Sequence, residues 1–334
     1  MIISDKQELR RCVKQLVRRA DVCEASLHFD MVNGETGVEA MLDLWARPAL
    51  SPSEALARTA AEQTPFSPDA AAMFAALDAM DLPVKDLDRA ANLQREYERG
   101  GYIREMLDTL RAKCVLIRVP LEKAGETQFD DERLEPLLDI PDALFAPGRY
   151  GVNYQSAAQK IAEAASVCGA RNIRASRFDR QALRWCLLPL CEDQGFVLHV
   201  HLSSEEEVRQ FALLMDEFPG VRALSSCNAC AQSALIEAAR TRTRMLICLA
   251  DLSAMGEALK KLGTRFVPFS ADAVLMEQML GRWILAREQI WQALAEAYLP
   301  LCRSGYPLET AAIEQDVRRL LSGNLLALCR SQEL

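Results

Sequence analysis

The repeat that decides the fold is clearest in residues 195–226, GFVLHVHLSSEEEVRQFALLMDEFPGVRALSS. Two mainly apolar runs of strand length, residues 196–201 and 221–226, flank a segment at 204–218 in which apolar residues recur at helical spacing. Ser204 and the three glutamates after it supply an N-cap and the acidic first turn that the helix dipole favours. Because strands without polar alternation are typical of parallel sheets, the segment predicts a β-α-β unit.

The same alternation of strand and helix continues over most of the chain. Strands are predicted at residues 21–28, 114–119, 143–149, 171–175, 196–201, 221–226, 244–249 and 265–270. Helices are predicted at residues 5–19, 154–168, 180–194, 204–218, 232–241, 253–262, 276–298 and 313–328. Eight such units favour a closed (β/α)8 barrel of the TIM type over an open doubly wound sheet. No Gly-x-Gly-x-x-Gly turn follows a predicted strand, which argues against a dinucleotide-binding fold.

Residues 35–110 differ from this rhythm, because they are rich in alanine, leucine and charged residues and contain repeated prolines. The prolines are Pro48, Pro52, Pro65, Pro68 and Pro83. Prolines at these intervals end helices, so we predict several short helices and no strand here. We therefore expect one α/β barrel domain over residues 1–334, with a mainly helical insertion at 35–110 after the first strand.

Composition and charge restrict the classes of function. The 334 residues are 50% hydrophobic, enough for a full core, and a net charge of −8 without a basic run argues against nucleic-acid binding. The N-terminal segment lacks an apolar signal-peptide core, and no apolar stretch has the length of a membrane span. The 11 cysteines are odd in number and scattered, which indicates reduced thiols. We expect a cytoplasmic protein that acts on a small molecule.

The chain has three histidines, which all lie at the ends of predicted strands. In a barrel these ends surround the active site, and residues two apart on one strand share a face. Imidazole and carboxylate groups bind catalytic Zn²⁺, or Mn²⁺ or Mg²⁺ where oxygen dominates. The predicted metal ligands are His28, Asp30, His201 and Asp272. Asp272, as a general base, and His201 are also the predicted catalytic residues. The competing interpretation is that strand-end histidines only make hydrogen bonds and that no metal binds.

Two arginines are candidates for binding a carboxylate on the substrate. Arg149 and Arg174 lie at or near predicted strand ends, and a guanidinium group can donate two parallel hydrogen bonds to a carboxylate. The competing interpretation is a surface salt bridge, which is the more frequent role of such residues. His199 is a third candidate for substrate binding, with a hydrogen-bonding role behind the site as its alternative.

Short motifs at the strand ends resemble those of the amidohydrolase superfamily, and of its uronate isomerase branch in particular. The His-x-His motif of the family's first strand corresponds to residues 25–30, ASLHFD, where Asp30 replaces the second histidine. His201 stands in the place of the family's fifth-strand histidine, and Ser226 in that of a sixth-strand histidine. The Gly-Ser-Asp pattern of the last strand corresponds to residues 269–272, FSAD.

The resemblance extends over residues 21–328 and includes the helical insertion and the Gly323-Asn324 pair near the chain end. It implies a divalent-metal enzyme that either interconverts the aldose and ketose forms of a hexuronate or hydrolyses a small polar substrate. Ser226 is assigned to substrate binding. The two altered positions motivate a second hypothesis, a catalytically degenerate barrel that binds a small ligand without turnover. Because relatives often assemble, the long C-terminal helices are the candidate interface of a homo-oligomer.

Overall fold

The computed structural model describes residues 2–3, 5–28, 68–82, 99–147, 152–273 and 275–330, with backbone alone at positions 2, 28, 68–70 and 99–100. The strands are β1 (Ile2–Ile3), β2 (Val22–His28), β3 (Ala112–Pro120), β4 (Leu134–Ile140), β5 (Asn172–Ala175), β6 (Val197–Leu202), β7 (Arg222–Cys227), β8 (Met245–Ile247) and β9 (Leu308–Glu309). The α-helices are α1 (Lys6–Arg19), α2 (Pro68–Ala79), α3 (Arg99–Leu110), α4 (Tyr154–Cys168), α5 (Arg180–Ala182), α6 (Leu188–Gln194), α7 (Glu205–Glu217), α8 (Gln232–Arg240), α9 (Met255–Leu262), α10 (Met276–Arg303), α11 (Thr310–Arg318) and α12 (Asn324–Cys329).

A parallel sheet of seven strands, in the order β2-β3-β4-β5-β6-β7-β8, organises the described chain. Each strand pairs with the next along the sequence, as the β-α-β rhythm predicts, and helices connect most of them. The register places Asp139 beside Arg174 and His201 beside Ser226. The predicted α/β barrel-like architecture with a parallel sheet is therefore confirmed.

The predicted eighth strand, residues 265–270, is not a regular strand. The segment instead makes isolated parallel bridges to both edges of the sheet, from Val267 to Cys248 and from Ala273 to Leu27. Pro268 gives the physical reason, because a proline has no N–H to donate to the ladder. Within the described residues the architecture is thus a curled seven-stranded sheet, and an eighth strand does not close it.

The predicted strand at 143–149 is also wrong. The strand at this place in the sheet is β4, which lies earlier in the chain, at Leu134–Ile140, and Asp142–Phe145 forms a 3-10 turn. The sequence of this strand, LEPLLDI, contains Pro136 and two acidic residues, which conceal it from a search for apolar runs. Arg149 lies outside the described residues.

The predicted insertion at 35–110 is described only in part. Helices α2 and α3 are the described elements within it, and its remaining residues lie outside the description, so the insertion and the single-domain boundary stay predictions. Helix α2 packs directly on the long helix α10. Gly281 allows this contact, because a Cβ atom there would overlap the carbonyl oxygen of Ala72.

Two apolar layers surround the sheet. The inner layer fills the barrel-like interior with small and branched side chains, including Cys114, Leu116 and Leu246, and α12 covers one end of it with Leu325 and Leu328. The outer layer packs the helices on the other face of the strands.

All 11 cysteines are free thiols, as their spacing predicts. Among the described helices, none combines the length and the apolar character that crossing a membrane requires.

Candidate active site

A cavity of about 280 Å³ opens at the carboxyl ends of the central strands. Its polar lining includes Ser26, Arg118, Arg174, His201, Ser226 and Asp272, and we call it the central cavity. Strand alternation explains this lining. Cys114 and Leu116 belong to the inner apolar layer, so Arg118, two residues further along β3, faces the same side at the strand end.

His201 is held by hydrogen bonds at both ring nitrogens. Its Nδ1 lies 3.1 Å from Ser226 Oγ, and its Nε2 lies 3.1 Å from Asn228 Oδ1. The amide nitrogen of Asn228 donates to the carbonyl of Ser203, which turns the amide oxygen toward the ring. Because that oxygen can only accept, Nε2 donates to it, and Nδ1 faces the Ser226 hydroxyl.

His199 lies deeper and is a buried neutral side chain. Burial, and secondly the positive charge of Arg174, lower the pKa of His199 to about 3. Its Nε2 lies 3.2 Å from Asn172 Oδ1. His199 also lines the central cavity, but its ring is buried. This position favours the alternative role, in which His199 makes hydrogen bonds behind the site and does not bind the substrate.

Arg118 and Asp272 form an ion pair at the rim of the central cavity. Nη2 of Arg118 contacts Asp272 Oδ1, and its Nε donates to Ser26 Oγ at 2.5 Å. Burial, and secondly the charge of Arg174, lower the pKa of Arg118 to about 10. Both guanidinium groups line the central cavity. Asp272 has a positive φ of 42°, a backbone conformation that is uncommon for residues other than glycine.

Arg174 pairs with Asp139 on the neighbouring strand. Its Nη1 donates to Asp139 Oδ1 at 2.9 Å, and both side chains are largely buried. Ser176 Oγ donates to the carbonyl of Ile140 at 2.8 Å and lies 3.4 Å from the same Asp139 oxygen. Arg174 itself lies in the wall of the central cavity, and its salt bridge is largely buried, unlike the surface salt bridge of its competing interpretation.

Glu24 connects β2 to the irregular segment at residues 265–273. Its fully buried carboxylate accepts hydrogen bonds from the Ser270 hydroxyl, the Ala271 N–H at 2.8 Å, the Trp283 indole at 2.8 Å and the Ser26 N–H at 3.0 Å. Burial raises the pKa of Glu24, and the four donors oppose this effect. These bonds tie the segment that carries Asp272 to β2, where regular strand pairing is missing.

The fold is similar to that of the uronate isomerase from Bacillus halodurans C-125, with a TM-score of 0.86 over 98% of this chain and 97% of that one, at 17% identity. The chain has a uronate isomerase fold. The uronate isomerase from Thermotoga maritima aligns over 98% of this chain and 100% of its own, with a TM-score of 0.65 at 10% identity. No protein-family model and no curated protein sequence matches the chain.

The resemblance that the strand-end motifs predict is therefore confirmed at the level of the fold. At identities of 17% and 10% the similarity establishes the architecture, and the chemistry has to follow from the side chains. Both comparisons span nearly the whole chain, so the uronate isomerase fold extends beyond the sheet to the helices around it.

The four predicted metal ligands are only partly placed by the structure. His201 and Asp272 line the same cavity, whereas the His28 side chain and Asp30 lie outside the description. Within the described ranges, no three histidine, cysteine, aspartate or glutamate side chains are grouped so that they could hold a metal ion. The nitrogens of His201 face Ser226 and Asn228, and Asp272 faces a cation, so neither is free to bind a metal in this arrangement.

Sequence reasoning missed Glu24, Arg118, Asp139 and Asn228. A signal existed for Arg118 and Asp139, because each is a charged residue near the end of its strand, at even spacing from inward-facing apolar residues. Glu24 is likewise a charged residue in a strand of small and apolar residues, two residues before Ser26. Asn228 had none, since its position opposite His201 depends on the pairing of β6 with β7.

Proposed function

We propose that the chain is an enzyme that isomerises a small sugar acid, a hexuronate, in the central cavity. The observation that carries this proposal is the grouping of two guanidinium groups, an imidazole and an exposed carboxylate at the strand ends of a uronate isomerase fold. The volume of about 280 Å³ is at the small end of ligand pockets and suits a compact polar molecule.

The arginines favour an anionic substrate. Arg118 and Arg174 both line the central cavity, and the charge of Arg174 contributes to lowering the pKa of Arg118. An anion placed between two cations relieves their repulsion, and guanidinium groups match the geometry of a carboxylate. A sugar acid carries this anion at one end. Its hydroxyl groups can make hydrogen bonds with Ser26, Ser226 and His201, which also line the cavity.

Aldose–ketose isomerisation moves a proton between neighbouring carbon atoms, so the site needs a group that accepts and returns it. Asp272 is the best candidate for this base, because its side chain is 66% exposed and lies at the cavity rim. His201, with Ser226 on one nitrogen and Asn228 on the other, is held so that small rearrangements can pass a proton to or from a substrate oxygen.

A divalent metal ion is a further part of the proposal. Zn²⁺, with Mn²⁺ and Mg²⁺ as alternatives, would be held by His28, Asp30, His201 and Asp272, and would polarise the substrate carbonyl. The presence of His201 and Asp272 at one cavity supports this ligand set, and their present hydrogen bonds argue against it. The roles given above to the side chains do not depend on the metal.

The test is turnover of hexuronates by the purified protein. D-glucuronate and D-galacturonate are incubated with it, and ketose formation is followed by proton NMR, with no addition, with a chelator, and with each metal ion. We expect a ketose product, and we expect Asp272→Asn to lower kcat by about 10²-fold or more.

Asp251→Asn is the matched control, because Asp251 is an exposed aspartate just after β8 that only caps a turn. It should keep full activity. If no sugar acid is turned over under any metal condition while D-glucuronate still binds, the proposal fails and the chain is a non-catalytic binding barrel.

A further inference from the structure

The guanidinium group of Arg118 is held in place by a hydrogen bond to Ser26. The Arg118 side chain is 11% exposed, and its Nε donates to Ser26 Oγ at 2.5 Å. Ser26 is itself fixed, because its N–H donates to the buried Glu24 carboxylate at 3.0 Å. The guanidinium group is therefore a rigid donor whose Nη2 faces Asp272 at the cavity rim.

Asp272 is the loosely held member of this pair. Its side chain is 66% exposed, and its contacts with Arg118 and with Ser26, at 3.4 Å, use the same oxygen, Oδ1. The segment that carries it is joined to β2 by an isolated bridge and by Glu24. Asp272 can therefore move into solvent, whereas the buried guanidinium group of Arg118 then needs another anion in its place.

The second ion pair of the cavity is built differently. The side chains of Arg174 and Asp139 are 20% and 26% exposed, and the two residues lie opposite each other on paired strands. Ser176 adds a further contact to Asp139. The carboxylate of this pair is thus much less exposed than that of Asp272, so the two arginines hold their partners differently.

We propose that Arg118 is the residue that selects a carboxylate on the substrate, and that Asp272 occupies its guanidinium group until a sugar acid takes over. This inference rests on the proposed function and adds a specificity device to it. When the substrate carboxylate pairs with Arg118, Asp272 is released beside the bound sugar. Its carboxylate then has no cation to hold it and can accept the proton that isomerisation moves.

The consequence is that substrate charge and base release are coupled. A neutral hexose of similar shape leaves the Arg118–Asp272 pair intact, and the base stays occupied. Asp272 competes with the substrate for Arg118, so removing its charge should strengthen the binding of a carboxylate. A role for Asp272 as a direct ligand of the substrate predicts the opposite.

Calorimetric titration of D-glucuronate and D-glucose into the purified protein tests this, with a chelator present so that Asp272 holds no metal ion, and at about 0.15 M salt so that distant charges are screened. Asp272→Asn should bind D-glucuronate about two- to five-fold more tightly while turnover is lost. Arg118→Gln should bind D-glucuronate about ten-fold more weakly or worse, with unchanged affinity for D-glucose. Arg118→Lys, which keeps the charge, should lie between.

Asp251→Asn is again the control, since it removes a negative charge at the same end of the sheet. Its affinity for D-glucuronate should stay unchanged. The inference is overturned if Asp272→Asn, with a normal near-ultraviolet circular dichroism spectrum, binds D-glucuronate as weakly as the wild type or more weakly. It is also overturned if Arg118→Gln still binds D-glucuronate more tightly than D-glucose. Failure of the proposed function looks different: the unchanged protein then binds D-glucuronate and does not convert it.

Discussion

His199 should make the protein sensitive to acid. The pKa of this ring is lowered to about 3, first by burial and then by the charge of Arg174, from an ordinary value of 6.5. Below pH 6.5 the unfolded chain takes up a proton at this histidine and the folded chain does not, so stability falls as the pH decreases from 6.5 toward 3. Above pH 6.5 the contribution is fully present.

The size of the effect follows from the shift. Each pH unit between the two pKa values is worth about 1.4 kcal/mol, so at pH 5 the wild type has lost about 2 kcal/mol through His199 alone. His199→Gln keeps an N–H donor for Asn172 and removes the titrating group. We expect this variant to be less stable than the wild type at pH 7.5 and to close most of that gap by pH 5.

Urea unfolding at pH 7.5, 6 and 5 measures this difference. Asn172→Ala is the control, because it removes the hydrogen-bond acceptor of His199 at 3.2 Å and leaves the imidazole buried. It should lose stability at every pH and keep the acid sensitivity of the wild type. If His199→Gln and the wild type lose stability in parallel between pH 7.5 and pH 5, the assignment of a buried neutral ring is refuted.

Two further predictions concern the side chains that hold the scaffold around the site. Glu24→Gln turns an amide N–H₂ toward groups that themselves donate, so it should cost about 1–3 kcal/mol of unfolding free energy at pH 5. Burial raises the pKa of Glu24, so the stability that the carboxyl group contributes is complete below about pH 4.5 and declines as the pH rises. The difference in unfolding free energy between the wild type and Glu24→Gln should therefore be smaller at pH 8 than at pH 5, and a larger difference at pH 8 would contradict this. Arg287 donates to the carbonyls of Val17, Arg18, Ala20 and Leu110 at 2.6–3.1 Å, so Arg287→Met should cost about 3 kcal/mol in urea unfolding, and a loss below about 1 kcal/mol would contradict it.

Much of the fold could be predicted because its signals are local. Residues 154–168 match α4 residue for residue, with Gly169 in the left-handed conformation that ends a helix. The parallel strands appear as apolar runs because both of their faces are buried. The exceptions have local causes as well: Pro136 and inward-facing acids conceal β4, and Pro268 prevents residues 265–270 from joining the sheet as a strand.

The site was less accessible because its contacts depend on register. The sequence locates His199 and His201 at one strand end, and both line the central cavity. It does not contain the pairing of β6 with β7, which places Ser226 and Asn228 on the two nitrogens of His201. Nor does it reveal that Arg118 faces Asp272, since Arg118 lies on β3 and Asp272 on the irregular segment that joins the neighbouring strand β2 through an isolated bridge.

The most direct test of the central claim is a crystal structure of the protein with D-glucuronate bound. The account predicts the sugar in the central cavity, its carboxylate on Arg118, and the Asp272 carboxylate turned away from that guanidinium group toward the sugar. A ligand bound elsewhere, or a ligand in the cavity with its carboxylate away from both Arg118 and Arg174, would contradict it.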